Sequence, residues 1–304
     1  MQTGMIGLGR MGMNMAKRLL GGGHQVVAFN RTPDKAQELA AKHGAIAAYS
    51  LAELVAQLAG PRVVWLMLPA GQVIDDHLQQ LAELLSPGDI IVEGGNSYYK
   101  DDLRRAAMLA EREIRYVDAG VSGGIWGLEK GYCLMAGGDR DTCAALEPLF
   151  NTLAPPDGYL YCGTTGAGHF VKMVHNGIEY GMMQAYGEGF AILEGSPYGP
   201  GLDYARVSHL WNQGSVIRSW LLELLEDAFT KDEKLDRIQG YVEDSGEGRW
   251  TVLQAVESGV ATPVIALSLF KRFQSRNDNA FEDRVLAALR REFGGHRVVT
   301  RDNG

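Results

Sequence analysis

Lys172, His175, Asn176 and Glu179 occupy positions i, i+3, i+4 and i+7 of the segment GAGHFVKMVHNGIEY, residues 166–180. At about 100° per residue of α-helix these four side chains fall within an arc of roughly 100°, so they share one face. An amine, an imidazole, an amide and a carboxylate on one face can take a proton from a substrate, hold its oxygens and return a proton. Taken alone, the same pattern also describes a solvated polar face. Val171, Val174, Ile178 and Met182 form a second stripe roughly 115° away, apolar and expected to face the core.

What would give that helix a reaction to run lies upstream. Gly7-Leu8-Gly9-Arg10-Met11-Gly12 follows a short apolar run and opens a helical pattern through Met15, Ala16, Leu19 and Leu20. In a G-x-G-x-x-G turn the glycines allow a tight bend, close approach of backbone to a pyrophosphate, and close packing of helix on strand. The bared N–H groups and positive dipole of the helix start then favour phosphate. An Asp or Glu at the end of the next strand would recognise the ribose 2′-hydroxyl of NAD. This chain has Asn30-Arg31-Thr32 there. Arg31 can pair with a 2′-phosphate and Thr32 can donate to it, so NADP is the expected cofactor, with NAD also possible.

Two further glycine-rich stretches, Glu93-Gly94-Gly95-Asn96-Ser97 and Ala119-Gly120-Val121-Ser122-Gly123-Gly124, fall where strands of a parallel sheet should end. Bared amides and a serine hydroxyl there suit a carboxylate or phosphate oxygen.

The elements that must position these residues follow from the wider pattern. The chain has 304 residues, 46% of them hydrophobic, enough for two cores. Apolar runs at 4–8, 26–29, 63–68, 90–92, 116–117, 132–136 and 159–161 alternate with amphipathic stretches, as βαβ units on a mostly parallel sheet do. After about residue 166 helical patterns dominate, at 168–193, 204–212 and 219–230 and onward through Phe293. The expectation is an α/β Rossmann-type dinucleotide-binding domain over 1–165, followed by an all-α domain over 166–304 for substrate binding and dimerisation. A net charge of −8 gives no general attraction to nucleic acid or an anionic membrane. It leaves room for a small anionic substrate held by local cations. The start of the chain lacks the features of a signal peptide, and no apolar run approaches the roughly 20 residues of a membrane span; a cytoplasmic location is expected. Three cysteines without C-x-x-C spacing suggest neither disulfide framework nor zinc, and Cys133 and Cys162 read as small buried hydrophobes.

GLGRMG, NRT, GGNSYY, VSGG and GHFVKMVHNGIEY together resemble the 6-phosphogluconate dehydrogenases (decarboxylating) of the β-hydroxyacid dehydrogenase superfamily. The likeness runs over nearly the whole chain, which corresponds to the short bacterial form lacking the duplicated helical domain. The resemblance implies Lys172 as base and Glu179 as acid, with Asn176 and His175 orienting the substrate. It implies a cofactor site that includes Leu68 and Asn96 besides residues 7–12 and 30–32. It further implies a substrate site of Asn96, Ser122, Gly123, Gly124, Tyr180 and Arg272, no metal, and Arg290 and His296 supplied to the phosphate end by a partner subunit. The match is imperfect in two places. Ser245 and Glu247 stand where the long enzymes carry Lys and Thr in a K-G-T-G-K-W run, and a family lysine near the cofactor is absent around Pro69. A related dehydrogenase for another 3-hydroxy acid is the alternative reading.

Overall fold

The computed structural model describes residues 1–294 and 297–299. Its N-terminal part is built on eight strands: β1 (Gln2–Ile6), β2 (Gln25–Phe29), β3 (Ile46–Ala48), β4 (Val63–Leu66), β5 (Ile90–Glu93), β6 (Arg115–Ser122), β7 (Cys133–Gly138) and β8 (Tyr159–Gly163). They form one sheet in the order β3-β2-β1-β4-β5-β6-β7-β8. Every neighbouring pair is parallel except β6 and β7. The crossovers carry α1 (Arg10–Gly21), α2 (Asp34–His43), α3 (Leu51–Ala56), α4 (Gln72–Leu84), α5 (Tyr99–Ala110), α6 (Gly127–Lys130) and α7 (Arg140–Leu153).

Helices on both faces explain why the central strands are apolar at every position. Adjacent residues of one strand serve opposite cores: Met5, Trp65 and Val92 join one, Ile6, Leu66 and Ile91 the other. Because β1 has β2 on one side and β4 on the other, the strand order reverses beside β1. The crevice at that reversal is where such sheets take a dinucleotide.

The helical part comprises α8 (Ala167–Glu194), α9 (Tyr204–Asn212), α10 (Trp220–Lys231), α11 (Glu247–Glu257), α12 (Pro263–Ser275) and α13 (Phe281–Gly294). Their starts are locally encoded. Asp203 and Ser219 cap α9 and α10 by accepting from the N–H three residues on, and Pro263 occupies the first turn of α12. Phe190, Tyr204, Leu222 and Phe229 form the core of this part. The chain divides into two compact units, Met1–His175 and Asn176–Gly304, and the division falls inside α8. Among the described residues no helix is long and apolar enough to cross a membrane.

Two expectations are corrected, and one strand, β3, had no counterpart among the apolar runs. The stripe Val171, Ile178 and Met182 does not face a core: these residues are 39%, 53% and 38% exposed, while Lys172 on the polar stripe is 5% exposed. The buried side of α8 carries Lys172, Met173, Gly177, Tyr180 and Gly181, because small residues and a ring there allow closer approach than branched side chains would. Cys133 is exposed and Cys162 half-buried, leaving Cys143 as the buried thiol. Strand β3 has only three residues, IAA, too short to register as an alternating pattern.

Candidate active site

At the dinucleotide end, geometry accounts for each glycine. Gly7 has φ +93°, and a Cβ there would lie 2.4 Å from the Met67 carbonyl oxygen. A Cβ on Gly12 would lie 2.0 Å from the Gly7 oxygen, whereas one on Gly9 would meet nothing within 4 Å. The turn is therefore closed toward the sheet and open outward. Gly9 precedes α1 with no side-chain cap, and no acidic residue stands in the first turn, so the orphan N–H groups of the helix start remain available to an anion. The residues present fit a pyrophosphate. Leu8 is buried, Met11 half-buried and Arg10 exposed. Asn30 ties the two loops together: its Oδ1 accepts from Leu8 N at 2.9 Å and its Nδ2 donates to the Thr32 oxygen at 3.0 Å. Arg31 and Thr32 are exposed, beside the end of β2. Leu68 is partly buried against the core on the other face of the sheet from α1.

The other expected residues are brought together along β6 and the start of α8 by a three-rung ladder. Asp118 accepts hydrogen bonds from Gly166 N (2.6 Å) and His169 N (2.9 Å), capping the first turn of α8. Two residues along β6, a Cβ on Gly120 would lie 2.4 Å from Lys172 Cβ and 2.9 Å from the Gly168 oxygen. Two further along, Ser122 Oγ lies 3.4 Å from His175 Nε2. Alternate residues of a strand face one way, and every third helix residue returns to nearly the same side. Gly168 and Gly137 permit the approach, since a Cβ on Gly168 would fall 2.3 Å from the Met135 oxygen and one on Gly137 2.7 Å from Gly168 N. Asn96, with φ +55°, fastens the preceding loop to the same strand: Oδ1 accepts from Val121 N (2.8 Å) and Nδ2 donates to the Val121 oxygen (3.0 Å). Gly123 and Gly124 continue from β6 with φ +134° and +54°, conformations that suit glycine. On the same face of α8, Asn176 and Glu179 follow Lys172 by one and two turns, and both are half-buried.

Behind this ladder lies a charged cluster that the sequence reading missed. His169 Nδ1 is 2.7 Å from Asp102 Oδ2 and 3.9 Å from Glu93 Oε2. Tyr116 donates its hydroxyl to the other oxygen of Asp102 at 2.7 Å, and Arg105 Nη1 lies 3.7 Å from Glu93. Glu93 also accepts from Gly95 N at 2.5 Å, bracing the glycine loop that carries Asn96. All these side chains are buried. Burial alone would lower the His169 pKa, but Asp102, with Glu93 and Asp118, outweighs it and raises it to about 10. Burial pushes the Glu93 and Asp118 carboxyls above their usual range. Glu93, Asp102 and His169 have the donor types of a metal site, but the guanidinium of Arg105 already supplies the countercharge. One signal was legible in the sequence: His169 lies one turn before Lys172, so the polar stripe extends back to it.

Within the helical part, Tyr180 is buried between α11 and α12. A Cβ on Gly248 would lie 2.4 Å from its ring, and the Arg272 guanidinium stacks 3.4 Å from the ring centroid. Arg272 Nη1 also donates to the Glu243 oxygen at 2.9 Å. Ser245 N donates to the Tyr180 hydroxyl at 3.2 Å, and Ser245 Oγ donates to the Glu247 carboxylate. Glu247 is thus engaged at the foot of α11, and Asp244 holds Arg249 and Arg276. Arg290 is exposed on α13. His296 lies outside the described residues.

Residues 2–166 match the NAD binding domain of 6-phosphogluconate dehydrogenase, and residues 168–297 match the 6-phosphogluconate dehydrogenase C-terminal domain. The chain belongs to the 6-phosphogluconate dehydrogenase family. Among relatives, it is 50% identical to YqeC of Bacillus subtilis, a candidate 6-phosphogluconate dehydrogenase by its description, over 97% of this chain and 98% of the other. It is 45% identical, over the full length of both, to the NAD(+)-dependent, decarboxylating 6-phosphogluconate dehydrogenase of Haloferax volcanii. The solved 6-phosphogluconate dehydrogenase of Plasmodium falciparum superposes with a TM-score of 0.83 at 28% identity, covering 100% of this chain and 67% of that one. Family membership makes the chain an NAD(P)-dependent oxidoreductase.

Proposed function

We propose that this chain oxidises and decarboxylates 6-phosphogluconate to ribulose 5-phosphate and carbon dioxide, with NADP preferred over NAD. The observation that carries the reading is the placement of Lys172: buried, seated over Gly120, one turn before the His175–Ser122 pair and two turns before Glu179. The Gly7–Gly12 turn and the start of α1 would hold a nicotinamide dinucleotide, which would supply the hydride acceptor for oxidation of the carbinol carbon. Lys172, in its neutral form, takes the hydroxyl proton. An ordinary lysine ionises near about 10.4, and desolvation favours the neutral amine. The β-keto acid so formed loses its carboxylate as carbon dioxide, and the bonding electrons pass toward the keto oxygen. Lys172, now an ammonium, returns its proton to that oxygen as charge builds there. Glu179 then protonates the carbon that carried the carboxylate while Lys172 takes back the proton of the enol hydroxyl, which leaves the ketone of ribulose 5-phosphate.

In this reading Ser122, Gly123 and Gly124 hold the carboxylate, while His175 and Asn176 orient the reacting oxygens. Asn96 keeps one amide hydrogen and one lone pair beyond its bonds to Val121 and can join cofactor to substrate. Tyr180 and Arg272 serve the phosphate. Arg290 and His296 complete it from a partner subunit, which makes the working form a homo-oligomer, in keeping with the exposed apolar stripe on α8. The setting is cytoplasmic.

The test mixes purified protein with 6-phosphogluconate and either NADP or NAD and follows the absorbance of the reduced nicotinamide. Turnover is expected with both, faster at low concentration with NADP, and K172M should lower kcat by about 1,000-fold. Silence with both cofactors, together with turnover of an unphosphorylated 3-hydroxy acid, would assign the chain to the neighbouring class instead.

A further inference from the structure

The buried cluster behind the ladder has no part in the proton steps above, yet its acidic members and His169 grip segments that carry the site. Asp118 holds the first amides of α8, and Asp102 of α5 holds the His169 side chain at 2.7 Å. Glu93 holds the amide of Gly95 in the glycine loop, and its other oxygen faces Arg105 and His169. His169 is the member that belongs to two segments at once: its backbone N–H goes to β6 and its imidazole to α5. One turn later stands Lys172, whose Cβ passes so close to Gly120 that the helix has no room to settle nearer the strand.

We propose that His169 is a positioning residue for Lys172: through its two hydrogen bonds, to Asp118 and to Asp102, it fixes the roll of the first turns of α8 about the helix axis. Glycines at 120, 137 and 168 set how close helix and sheet come, but bare contacts between backbones do not oppose rotation. Turning α8 by one-tenth of a revolution, about 36°, would carry a lysine Nζ some ångströms sideways, because the side chain extends about 6 Å from Cα. A directional bond on a short, rigid imidazole opposes that turn. The groups facing the ring are Asp102 and Tyr116 from the α5 side and β6, Glu93 and Arg105 beyond them, and Asp118 below. The bond to Asp102 is therefore surrounded by buried polar and charged groups.

This inference rests on the reading of Lys172 as base, and its test separates the two. H169N keeps a donor where Nδ1 lies; H169L removes it; D102N removes an acceptor from the other side. With 6-phosphogluconate as substrate, H169L and D102N should lose about 100-fold in kcat, as expected for a base displaced by about 1 Å. KM for the cofactor should stay within about threefold, since the α1 end is untouched. The acid limb of the kcat profile, set by Lys172, should move in H169L and stay in place in H169N, and H169N should recover most of the rate. Hydrogen exchange of the amides of residues 169–173 should accelerate in H169L and not in H169N, a readout that needs no activity. The proposal is overturned if folded H169L keeps kcat within about threefold of the parent, or if its amides over 169–173 exchange as in the parent. It is equally overturned if H169N is as impaired as H169L. Full activity in K172M would instead overturn the base assignment, whatever His169 does.

Discussion

The proposed preference for NADP turns on one residue, Arg31. It stands exposed just past β2, and among the described residues its guanidinium has no hydrogen-bond or ion-pair partner. An arginine committed to an internal carboxylate would be costly to divert, but this one is available at the edge where a ribose would lie. Asn30 behind it is already spent on Leu8 and Thr32 and so holds the loop in shape. Replacing Arg31 with Ala should leave that loop intact and remove a charge-assisted bond of about 1.5–3 kcal/mol. The expected result is a fall of about 10- to 100-fold in kcat/KM for NADP, with NAD changed less than about threefold. Steady-state kinetics with both cofactors checks this, and equal losses would show that Arg31 does not meet the 2′-phosphate. The place of this arginine, just past the second strand, was legible in the sequence because the apolar run and the turn after it are local. The roles of Asn30 and Asn96 were not, since each spends its amide on a backbone group that only the fold brings near.

At the level of elements, the pairing of β6 with α8 matters more than any single polar side chain. The four residues at helical spacing were visible in the sequence, and the helix was expected almost to its observed ends. Which side of that helix would be buried was misread, for a physical reason. Periodicity counts hydrophobicity, whereas α8 is packed by what can come close: glycine on the strand side, and Met173, Gly177 and Tyr180 elsewhere. Branched residues were left outside. Gly120→Ala tests this directly. A methyl group would meet Lys172 Cβ at 2.4 Å and the Gly168 oxygen at 2.9 Å, so α8 must move, at a cost of about 1–3 kcal/mol. A lowered Tm and a drop in kcat out of proportion to any change in cofactor KM are expected. Thermal denaturation and kinetics on the same preparation check both. Were G120A as active and as stable as the parent, the strand would not be setting the height of the helix.

On the scale of the whole molecule, the buried charges make stability depend on pH in one direction. His169 is raised from 6.5 to about 10. A base raised in the folded state contributes stability that is complete below about pH 6.5 and lost as pH climbs through about 10. Glu93 and Asp118 are raised by burial; carboxyls of that kind also cost more as they are forced to ionise, so they add to the same slope. The Tm should therefore fall by several degrees between about pH 6.5 and about 9.5, and the H169N protein should show a shallower decline. A flat profile across that window would mean the imidazole is neutral throughout. Beyond the place of His169 one turn before Lys172, this could not be seen from the sequence, because Glu93, Asp102, Asp118 and His169 come from four separated stretches. Only the order of the strands, itself foreshadowed by alternating apolar runs and amphipathic stretches, assembles them.

The rungs at Asp118, Gly120 and Ser122 count in twos along an extended chain, while those at residues 169, 172 and 175 count in threes along a coil. Two counting rules can stay in step only while neither segment changes length. Losing or gaining one residue between 118 and 122 would turn every rung to the wrong side of the sheet at once, and a slip between 169 and 175 would swing Lys172 away by about 100°. Among descendants of this chain, residues 118–122 and 166–176 should admit no insertion or deletion, and only the outward-facing positions of α8, such as Val171, should accept exchanges of side chain.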